Sequence, residues 1–381
     1  MAILKVDTIS GIGTEGPVFE GDIEFTSQNF LTLPKGDTTQ RGRGRGMIMG
    51  GFHPAVQTME YVSIQSLGNS IAFGDMSTPT QGWGSALASS TRACIGGGGY
   101  PSNINTIEFV TIAVTSNTTN FGDLTAAKVN TGTCSSQVRG LFAGGNSTPV
   151  FFNNIDFITI ASTGDAQDFG DINNLATGVR GLSSPTRGVF AGGGTPTRLN
   201  VIDFVTIATT GNASDFGDLN QAIIAAAASN NTRGLIGGGY VQPSGPVSNF
   251  IDFITIATTG NAQDFGDMLE SGNTTASGSS STRGIYAGGG ENGNSNTISF
   301  ITIATKGNAE NFGDLTQEMG NGSGTSSQVR FIRAGGRTPS LTDVIDFITI
   351  ATTGNATDFG DITQSRRQLA AASDAHGGLS Q

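Results

Sequence analysis

The strongest constraint on the fold of this 381-residue chain is a unit that recurs seven times. The triplet Phe-Gly-Asp closes every copy at a period of 47 to 49 residues, and its last residue lies at Asp75, Asp123, Asp171, Asp218, Asp267, Asp314 and Asp361. A second landmark keeps nearly the same period: an Arg opens runs such as "TRGVFAGGG" at Arg45, Arg92, Arg139, Arg187, Arg233, Arg283 and Arg330. A chain of this kind builds its core by stacking copies of one supersecondary unit.

Four strands can be read within one copy, which runs from residue 221 to residue 268. We predict strand a over 222–229, strand b over 233–238, strand c over 251–258 and strand d over 262–268. Short runs of Ile, Val and Phe separated by Gly, Ser, Thr and Asn are typical of brief strands joined by turns. The composition therefore indicates an all-β protein.

Strand c predicts how the copies pack. Side chains alternate with a period of two along a strand, so Ile251 and Phe253 lie on one side and Asp252 and Ile254 on the other. Both sides are largely apolar or small, which favours units packed face to face around an axis, a seven-bladed β-propeller. The aromatic residue of each strand c is then expected between neighbouring blades: Tyr61, Phe109, Phe157, Phe204, Phe253, Phe300 and Phe347.

The C-terminal segment predicts closure of the ring. The run "QLAAAS" over 368–373 resembles the strand a runs of other copies, whereas "TTQRGRGRG" before the first strand b does not. We therefore expect 368–373 to complete the first blade of a propeller domain over 37–381. Residues 1–36 lie outside the repeat and are predicted to form a short β arm with too little core to fold alone.

Charge excludes one class of partner. The net charge is -11, which repels phosphate backbones, so we expect no nucleic-acid partner. The run "RGRGRG" (Arg41 to Gly46) is short and is interpreted as a flexible segment. No apolar run approaches the length of a membrane span, so we expect no membrane insertion.

The repeat contains Asp-Phe-Gly, the triplet that holds magnesium in protein kinases. It begins at Asp168, Asp215, Asp264 and Asp358, but the first position is Ala72, Asn120 or Asn311 in the other copies. A magnesium ligand is needed once, beside a phosphate-binding loop, so a repeated and replaceable Asp indicates a turn or strand end. The last Asp of each copy is expected to bond backbone amides, and calcium binding by these turns stays open.

No catalytic or metal-binding constellation emerges. Cys94 and Cys134 are expected to pack as small apolar residues, and two His at 53 and 376 are too few and too far apart for a zinc site. Glycine clusters such as "IGGGGY" are interpreted as tight exits from strand b, because no helix follows to bind phosphate. We therefore expect a protein without enzyme activity, cofactor or metal.

Binding residues are expected where the copies differ. The a–b and c–d turns keep nearly one length, while the b–c and d–a connections vary, and in a blade these two connections emerge on one common face. Variable loops on a rigid scaffold are where recognition is usually built, although neutral surface loops would vary as well. The candidate ligand-binding residues on this face are Phe52, His53, Trp83, Tyr100, Phe151, Phe152, Arg198, Tyr240 and Arg337.

Two resemblances follow from these motifs. The strand order, with strand b ending in Gly-Gly, resembles the kelch repeat and the propeller of galactose oxidase-like proteins, although Phe replaces the usual Trp of strand d. The run "LTLPKGDTTQR" is similar to segments near the N-termini of phage tail-fibre and virion structural proteins. The consensus "IDFITIATTGNATDFGDL" resembles repeats in structural proteins of marine tailed phages, including cyanophages.

The phage resemblance implies a virion component. The arm would contact other virion proteins or sister chains, a homo-oligomer such as a trimer would form, and the propeller would be displayed as a fibre or decoration that binds a host surface glycan or receptor. One alternative is a purely architectural head, neck or tail-nozzle component without a ligand. Another is a kelch-type scaffold or carbohydrate-active enzyme.

Overall fold

The computed structural model describes residues 44–52, 55–80, 85–99, 102–194, 196–241, 247–272, 276–289 and 294–374. The chain divides into two units, Met1–Gly36 and Asp37–Gln381. The arm predicted over 1–36 lies outside the described residues.

Seven four-stranded antiparallel sheets form the seven blades of a β-propeller, as predicted from the repeat. Blade 1 contains β1 (Arg45–Met49), β2 (Val56–Ser63) and β3 (Ile71–Thr80), and blade 2 contains β4 (Ser85–Ala88), β5 (Arg92–Gly96), β6 (Thr106–Thr111) and β7 (Thr119–Asp123). Blade 3 contains β8 (Gly132–Ser135), β9 (Arg139–Ala143), β12 (Asn154–Thr159) and β13 (Gln167–Asp171), with β10 (Asn146–Ser147) and β11 (Val150–Phe151) forming a separate hairpin between β9 and β12. Blade 4 contains β14 (Arg180–Ser183), β15 (Arg187–Ala191), β16 (Val201–Thr206) and β17 (Ser214–Asp218).

The remaining strands build blades 5 to 7 and return to blade 1. Blade 5 contains β18 (Ile223–Ser229), β19 (Arg233–Val241), β20 (Val247–Thr255) and β21 (Gln263–Asp267), and blade 6 contains β22 (Ala276–Ser279), β23 (Arg283–Ala287), β24 (Ser295–Thr302) and β25 (Glu310–Met319). Blade 7 contains β26 (Ser323–Ser326), β27 (Arg330–Thr338), β28 (Ser340–Thr349) and β29 (Thr357–Asp361). The last strand of the chain is β30 (Ala370–Ser373). The sheet order of blade 1 is β3-β2-β1-β30, so its strand a comes from the C-terminal part of the chain.

Strand bounds in blade 5 differ from those predicted. Strand b continues to Val241 and strand c begins at Val247, because the two pair beyond the Gly-Gly, with Tyr240 opposite Val247. Strand c ends at Thr255 rather than at residue 258, since the Ile256 N–H already donates to the Thr232 carbonyl in the a–b turn. The Gly-Gly therefore makes an irregularity within a longer hairpin rather than an exit from strand b.

The core is divided into seven clusters, one at each interface between neighbouring blades. The cluster between blades 3 and 4, for example, joins Phe157 and Phe169 to Val205 and Ile207. The strand c aromatic meets the Phe of Phe-Gly-Asp edge to face in every blade, with ring centroids 5.6 to 5.8 Å apart. The prediction that these aromatics lie between blades is confirmed, and burying each contributes roughly 1.5–3 kcal/mol.

The repeated Arg links each blade to the next. Arg283 lies over the ring of Phe300 at 4.4 Å and donates from Nη1 to the Ile350 carbonyl of blade 7 at 2.8 Å. The ring contact and the hydrogen bond recur at the Arg of all seven blades, which explains why this Arg repeats with nearly the same period as Phe-Gly-Asp.

The Phe-Gly-Asp triplet forms a bulge against the c–d turn of the next blade. In blade 7, Asp358 Oδ1 accepts from the Gly360 N–H at 2.9 Å, so the Asp that resembles a kinase metal ligand holds its own turn. The prediction that the side chain of the last Asp bonds backbone amides was wrong. Instead, the backbone N–H of this Asp donates to an Asn or Asp side chain of the next blade, as Asp361 does to Asn69 at 3.1 Å. That backbone bond recurs in all seven copies.

Candidate functional site

The face that carries the b–c and d–a connections, here called the variable face, has a repeated framework. In blades 1, 3, 4 and 7 the d–a connection pairs with the b–c connection of the blade it leads into, as Thr177 does with Gly194 and Gly320 with Arg337. The opposite face, which carries the a–b and c–d turns, is called the constant face. The loops of the variable face in these blades therefore share the same backbone pairing although their side chains differ.

A ring of buried polar residues lies beneath the variable face, one in each strand c. The residue before the strand c aromatic is at most 5% exposed in every blade, and the seven are Glu60, Glu108, Asp156, Asp203, Asp252, Ser299 and Asp346. Where a carboxylate is present, it accepts hydrogen bonds from the d–a connection of the preceding blade. Asp252, for example, accepts from the Asn220 backbone N–H at 2.9 Å and from Asn220 Nδ2 at 2.6 Å.

Cations reach this ring at three interfaces. Lys128 Nζ lies 3.0 Å from Asp156, and Arg366 Nη1 lies 3.1 Å from Glu60, with all four side chains fully buried. At the interface of blades 6 and 7, Arg333 is fully buried opposite Asp346. Burial lowers the pKa of Arg333 to about 10, although Asp346 opposes the shift.

The carboxylates differ in their proton affinity. Burial raises the pKa of Glu60, but Arg366 and hydrogen bonds from Ser70 and Thr363 outweigh it, so the pKa lies below the usual 4.5. For Asp252, burial prevails over the two bonds from Asn220, and the pKa lies above the usual 3.8. The ring therefore contains carboxylates whose charged form is stabilised by the surroundings and carboxylates whose charged form is destabilised.

The interface between blades 5 and 6 departs from the pattern. Ser299 replaces the carboxylate, and the preceding connection offers Leu269 and Glu270, whose carboxylate accepts from Thr297 Oγ1 at 2.7 Å. A cavity of about 20 Å³ remains, lined in part by Tyr286, whose buried hydroxyl has no hydrogen-bond partner among the described residues. Such a cavity has room for one water molecule.

The first group of predicted ligand-binding residues lies on blades 3 and 4. Phe151 ends the β10–β11 hairpin opposite Asn146, and Phe152 donates its N–H to Gly145 and lies 5.8 Å from Lys128 Nζ. Arg198 pairs with Gly194 in the b–c connection of blade 4, and its buried Nε has no partner among the described residues. All three predicted residues are partly exposed.

Polar groups surround this aromatic pair. Asn146 Oδ1 accepts from Thr177 Oγ1 at 2.7 Å and from Asn130 Nδ2 at 3.2 Å. Val150 and Leu175 lie on the same face and are half exposed. The arrangement offers apolar surface with amides and hydroxyls at its edge, which is suited to a ligand with alternating C–H and O–H groups.

The second group lies on blades 7 and 1. Phe52 pairs with Arg367, whose guanidinium is 6.0 Å from the Phe52 ring, and Arg337 is exposed in the b–c connection of blade 7. The b–c connection of blade 7 also meets the next d–a connection, since Gly336 donates to the Arg366 carbonyl at 2.8 Å. The predicted residues thus form two groups on separate blades rather than one pocket.

Four predicted residues add little to this picture. His53, Trp83 and Tyr100 lie outside the described residues. Tyr240 is described at its backbone, which pairs with Ile224 and Val247 in blade 5. Sequence reasoning missed Lys128, Asn146 and Arg367, although each departs from the repeat within a connection that was recognised as variable.

The seven a strands enclose a cavity of about 270 Å³ along the axis. Its walls are small or hydroxylated residues, including Ala86, Ser135, Ser277 and Ser326. Several hydroxyls bond the neighbouring strand, as Ser135 Oγ does to the Ala88 carbonyl at 3.0 Å, so the wall satisfies part of its own backbone edge.

Chemistry-bearing groups are otherwise sparse. Both cysteines are free and buried within core clusters, as predicted, and burial raises the pKa of each thiol to about 12. Among the residues that the structure describes, no group of three His, Cys, Asp or Glu side chains is placed to hold a metal ion. The described ranges also contain no helix long and apolar enough to cross a membrane.

Comparison with known proteins bears on the fold alone. No family model matches the chain, and no curated protein matches it. The chain is similar to the solved structure of YjhT, with a TM-score of 0.57 at 14% sequence identity over 74% of this chain and 98% of that one. At that identity the likeness supports the propeller fold and carries no activity over.

Proposed function

We propose that this protein is a phage virion component, a fibre or decoration, whose propeller binds a host surface carbohydrate or receptor through the variable face. The observation that carries the proposal is the contrast between the two faces. The constant face repeats the same Arg contacts, and the same backbone bond to an Asn or Asp side chain, in all seven blades, whereas the variable face changes its loops while blades 1, 3, 4 and 7 keep the same backbone pairing. Such a scaffold presents variable groups without loss of stability.

The chemistry of blades 3 and 4 favours a carbohydrate. Phe151 offers an apolar ring, and Asn146 and Thr177 place amide and hydroxyl groups beside it. The two groups of residues on separate blades favour a ligand with several contact points, such as a polymer or a repeated surface glycan, over a small molecule held in one pocket.

The virion assignment rests on the resemblance of the "LTLPKGDTTQR" run and of the repeat to phage structural proteins. Peptide mapping and antibody labelling of purified virions test it. Peptides of this chain within the particle are expected, and their absence from virions that are otherwise complete would contradict the proposal.

Host binding is tested by adsorption. Purified protein is expected to bind host cells and to compete with phage attachment, and a Phe151→Ala/Arg198→Ala variant should bind at least about tenfold more weakly. Thr210→Ala/Thr353→Ala on the constant face is the matched control and should bind normally. A protein found in virions that neither binds cells nor competes would have an architectural role instead.

A further inference from the structure

Charged residues are unevenly distributed over the variable face. The b–c and d–a connections of blades 1 to 4, together with the connection that leads into blade 1, contain no Asp or Glu. The Lys and Arg residues of these connections, here called the basic sector, are Lys128, Arg198, Arg366 and Arg367. The corresponding segments of blades 5 to 7 contain one Arg, at position 337, and four acids, which are Glu270, Glu291, Glu318 and Asp343.

The negative charge of the propeller is concentrated at its outer edge. Strand d is the outermost strand of each blade, and strand d and the c–d turns carry exposed or partly exposed acids. They are the last Asp of each Phe-Gly-Asp triplet and Asp165, Asp168, Asp215, Asp264, Glu310 and Asp358. An acidic polymer is therefore repelled from the outer edge and is least repelled at the basic sector, although the net charge of the chain is -11.

Two of the four cations in the basic sector are neutralised within the protein. Lys128 pairs with Asp156 and Arg366 pairs with Glu60, and all four side chains are fully buried.

The other two cations, Arg198 and Arg367, are partly exposed. Among the described residues neither guanidinium forms an ion pair or a hydrogen bond, and the buried Nε of each has no partner. Two positive charges of this face therefore lack a counterion within the described part of the propeller.

Both of these Arg residues belong to the groups of candidate binding residues that contain aromatic rings. The Arg367 guanidinium lies 6.0 Å from the Phe52 ring. Arg198 is joined through Gly194 to the d–a connection that bonds the Phe151 hairpin. Guanidinium groups pair with carboxylates and similar oxyanions through two parallel hydrogen bonds, so an aromatic ring near a guanidinium suits a sugar that carries an acidic group.

We infer that the variable face binds an acidic polysaccharide, whose carboxylate or sulfate groups pair with Arg198 and Arg367. The inference rests on the proposed function, since it names the ligand class of the same face. Arg198 lies in blade 4 and Arg367 in the connection into blade 1, so a polymer that spans the basic sector can contact both.

Binding of the full chain to matched polysaccharides tests this inference. Polygalacturonate and dextran sulfate are the acidic probes, and methyl-esterified polygalacturonate and dextran are neutral forms of the same backbones. The protein is expected to bind at least one acidic probe about tenfold or more tightly than its neutral form. Its net charge of -11 opposes non-specific attraction to a polyanion, so such binding requires a local site.

Single substitutions then test the two Arg residues. Arg198→Gln and Arg367→Gln should each weaken binding to the acidic probe about threefold or more. Lys306→Gln removes one exposed positive charge from the c–d turn of blade 6 and is the matched control, which should bind like the wild type. The melting temperatures of the Arg variants should stay near that of the wild type, because neither guanidinium makes a bond within the described propeller.

Equal binding to the acidic and neutral forms would overturn the inference. So would the absence of binding to both acidic probes, or a control variant that weakens binding as much as the Arg variants do. Adsorption to host cells is measured with the same proteins. A chain that adsorbs to cells but gives one of these results keeps the proposed function without the acidic ligand, whereas a chain that binds neither cells nor polysaccharide contradicts both.

Discussion

At the scale of the residue, the buried ring beneath the variable face depends on matched pairs. Each carboxylate of strand c needs a donor from the preceding d–a connection, because a buried charge without a partner costs several kcal/mol. At the interface of blades 5 and 6 both partners differ together, with Ser299 on strand c and Leu269 in the connection. This joint change indicates that the pair, rather than the single residue, determines stability.

Restoring the consensus acid alone should therefore be harmful. Ser299→Asp is expected to reduce the free energy of unfolding by about 1–3 kcal/mol, because the new carboxylate finds no side-chain donor at Leu269 and lies near Glu270. Adding Leu269→Asn and Glu270→Gln, which copies the connection of blade 4, should recover most of the loss. Urea unfolding of the variants measures both steps, and an additive loss would contradict the pairing.

Glu60 and Asp252 should give opposite pH dependence. The pKa of Glu60 is lowered, so its contribution to stability is present above the unfolded value near 4.5 and is lost as pH falls through the folded value. Glu60→Gln leaves Arg366 buried without its ion pair and should cost about 3–5 kcal/mol at neutral pH, with a smaller deficit in acid.

The pKa of Asp252 is raised, so its contribution is fully present below about 3.8 and is lost as pH rises through the folded value. The stability of wild type relative to Asp252→Asn should therefore fall with rising pH across that window, the reverse of the Glu60 series. Denaturant unfolding at a series of pH values measures both, and parallel pH profiles would rule out the assigned shifts.

At the scale of the element, the number of blades and the identity of their strands could be predicted, because period and alternation are properties of local sequence. The bounds of β19 and β20 could not, since their extra pairing depends on the path of a b–c connection that no repeat specifies. The location of the variable face followed from loop variation. Its contacts did not, because Lys128 and Asp156 come from different blades and the ion pair has no local signature.

The turn glycines show how closely two elements approach. Gly313 has φ +145°, and a Cβ there would lie 2.4 Å from the Gly354 carbonyl of the next blade, whereas Gly354 has φ +155° and open space around the same position. Both glycines therefore have a backbone conformation that is unfavourable for other residues, but only at Gly313 would an added Cβ collide with the next blade.

Substituting this pair separates strain from collision. Gly354→Ala should cost about 1 kcal/mol for its backbone alone, and Gly313→Ala should cost at least about 2 kcal/mol more because two blades must move apart. Chemical denaturation compares them directly. Equal losses would mean that the blade interface yields to the added methyl group.

At the scale of the whole molecule, blade 1 is assembled from both ends of the propeller. Ala370–Ser373 pairs with Arg45–Met49, and a core cluster that includes Ile48 and Leu369 joins blade 1 to blade 7. The a–b turn of this blade is interrupted in the chain, yet its hydrogen bond persists. Asp374 Oδ1 accepts from the Arg45 N–H at 3.0 Å, where Ser280 Oγ accepts from the Arg283 N–H at 3.1 Å in an unbroken turn.

Because the ring closes through hydrogen bonds and packing, loss of β30 should affect the entire propeller. Deleting Leu369–Gln381 removes one strand of blade 1 and the side chains of Leu369, Ala370 and Ala372 from two interface clusters. The deletion should lower the free energy of unfolding by several kcal/mol, and the propeller unfolds as one cooperative unit. We therefore expect its melting temperature to fall by about 10 °C or more. Deleting only residues 375–381 keeps β30 and its cap at Asp374 and should melt like the full chain. If the longer deletion also melts like the full chain, the other six interfaces hold the ring without closure, and the pairing of β30 with β1 adds no stability to the propeller.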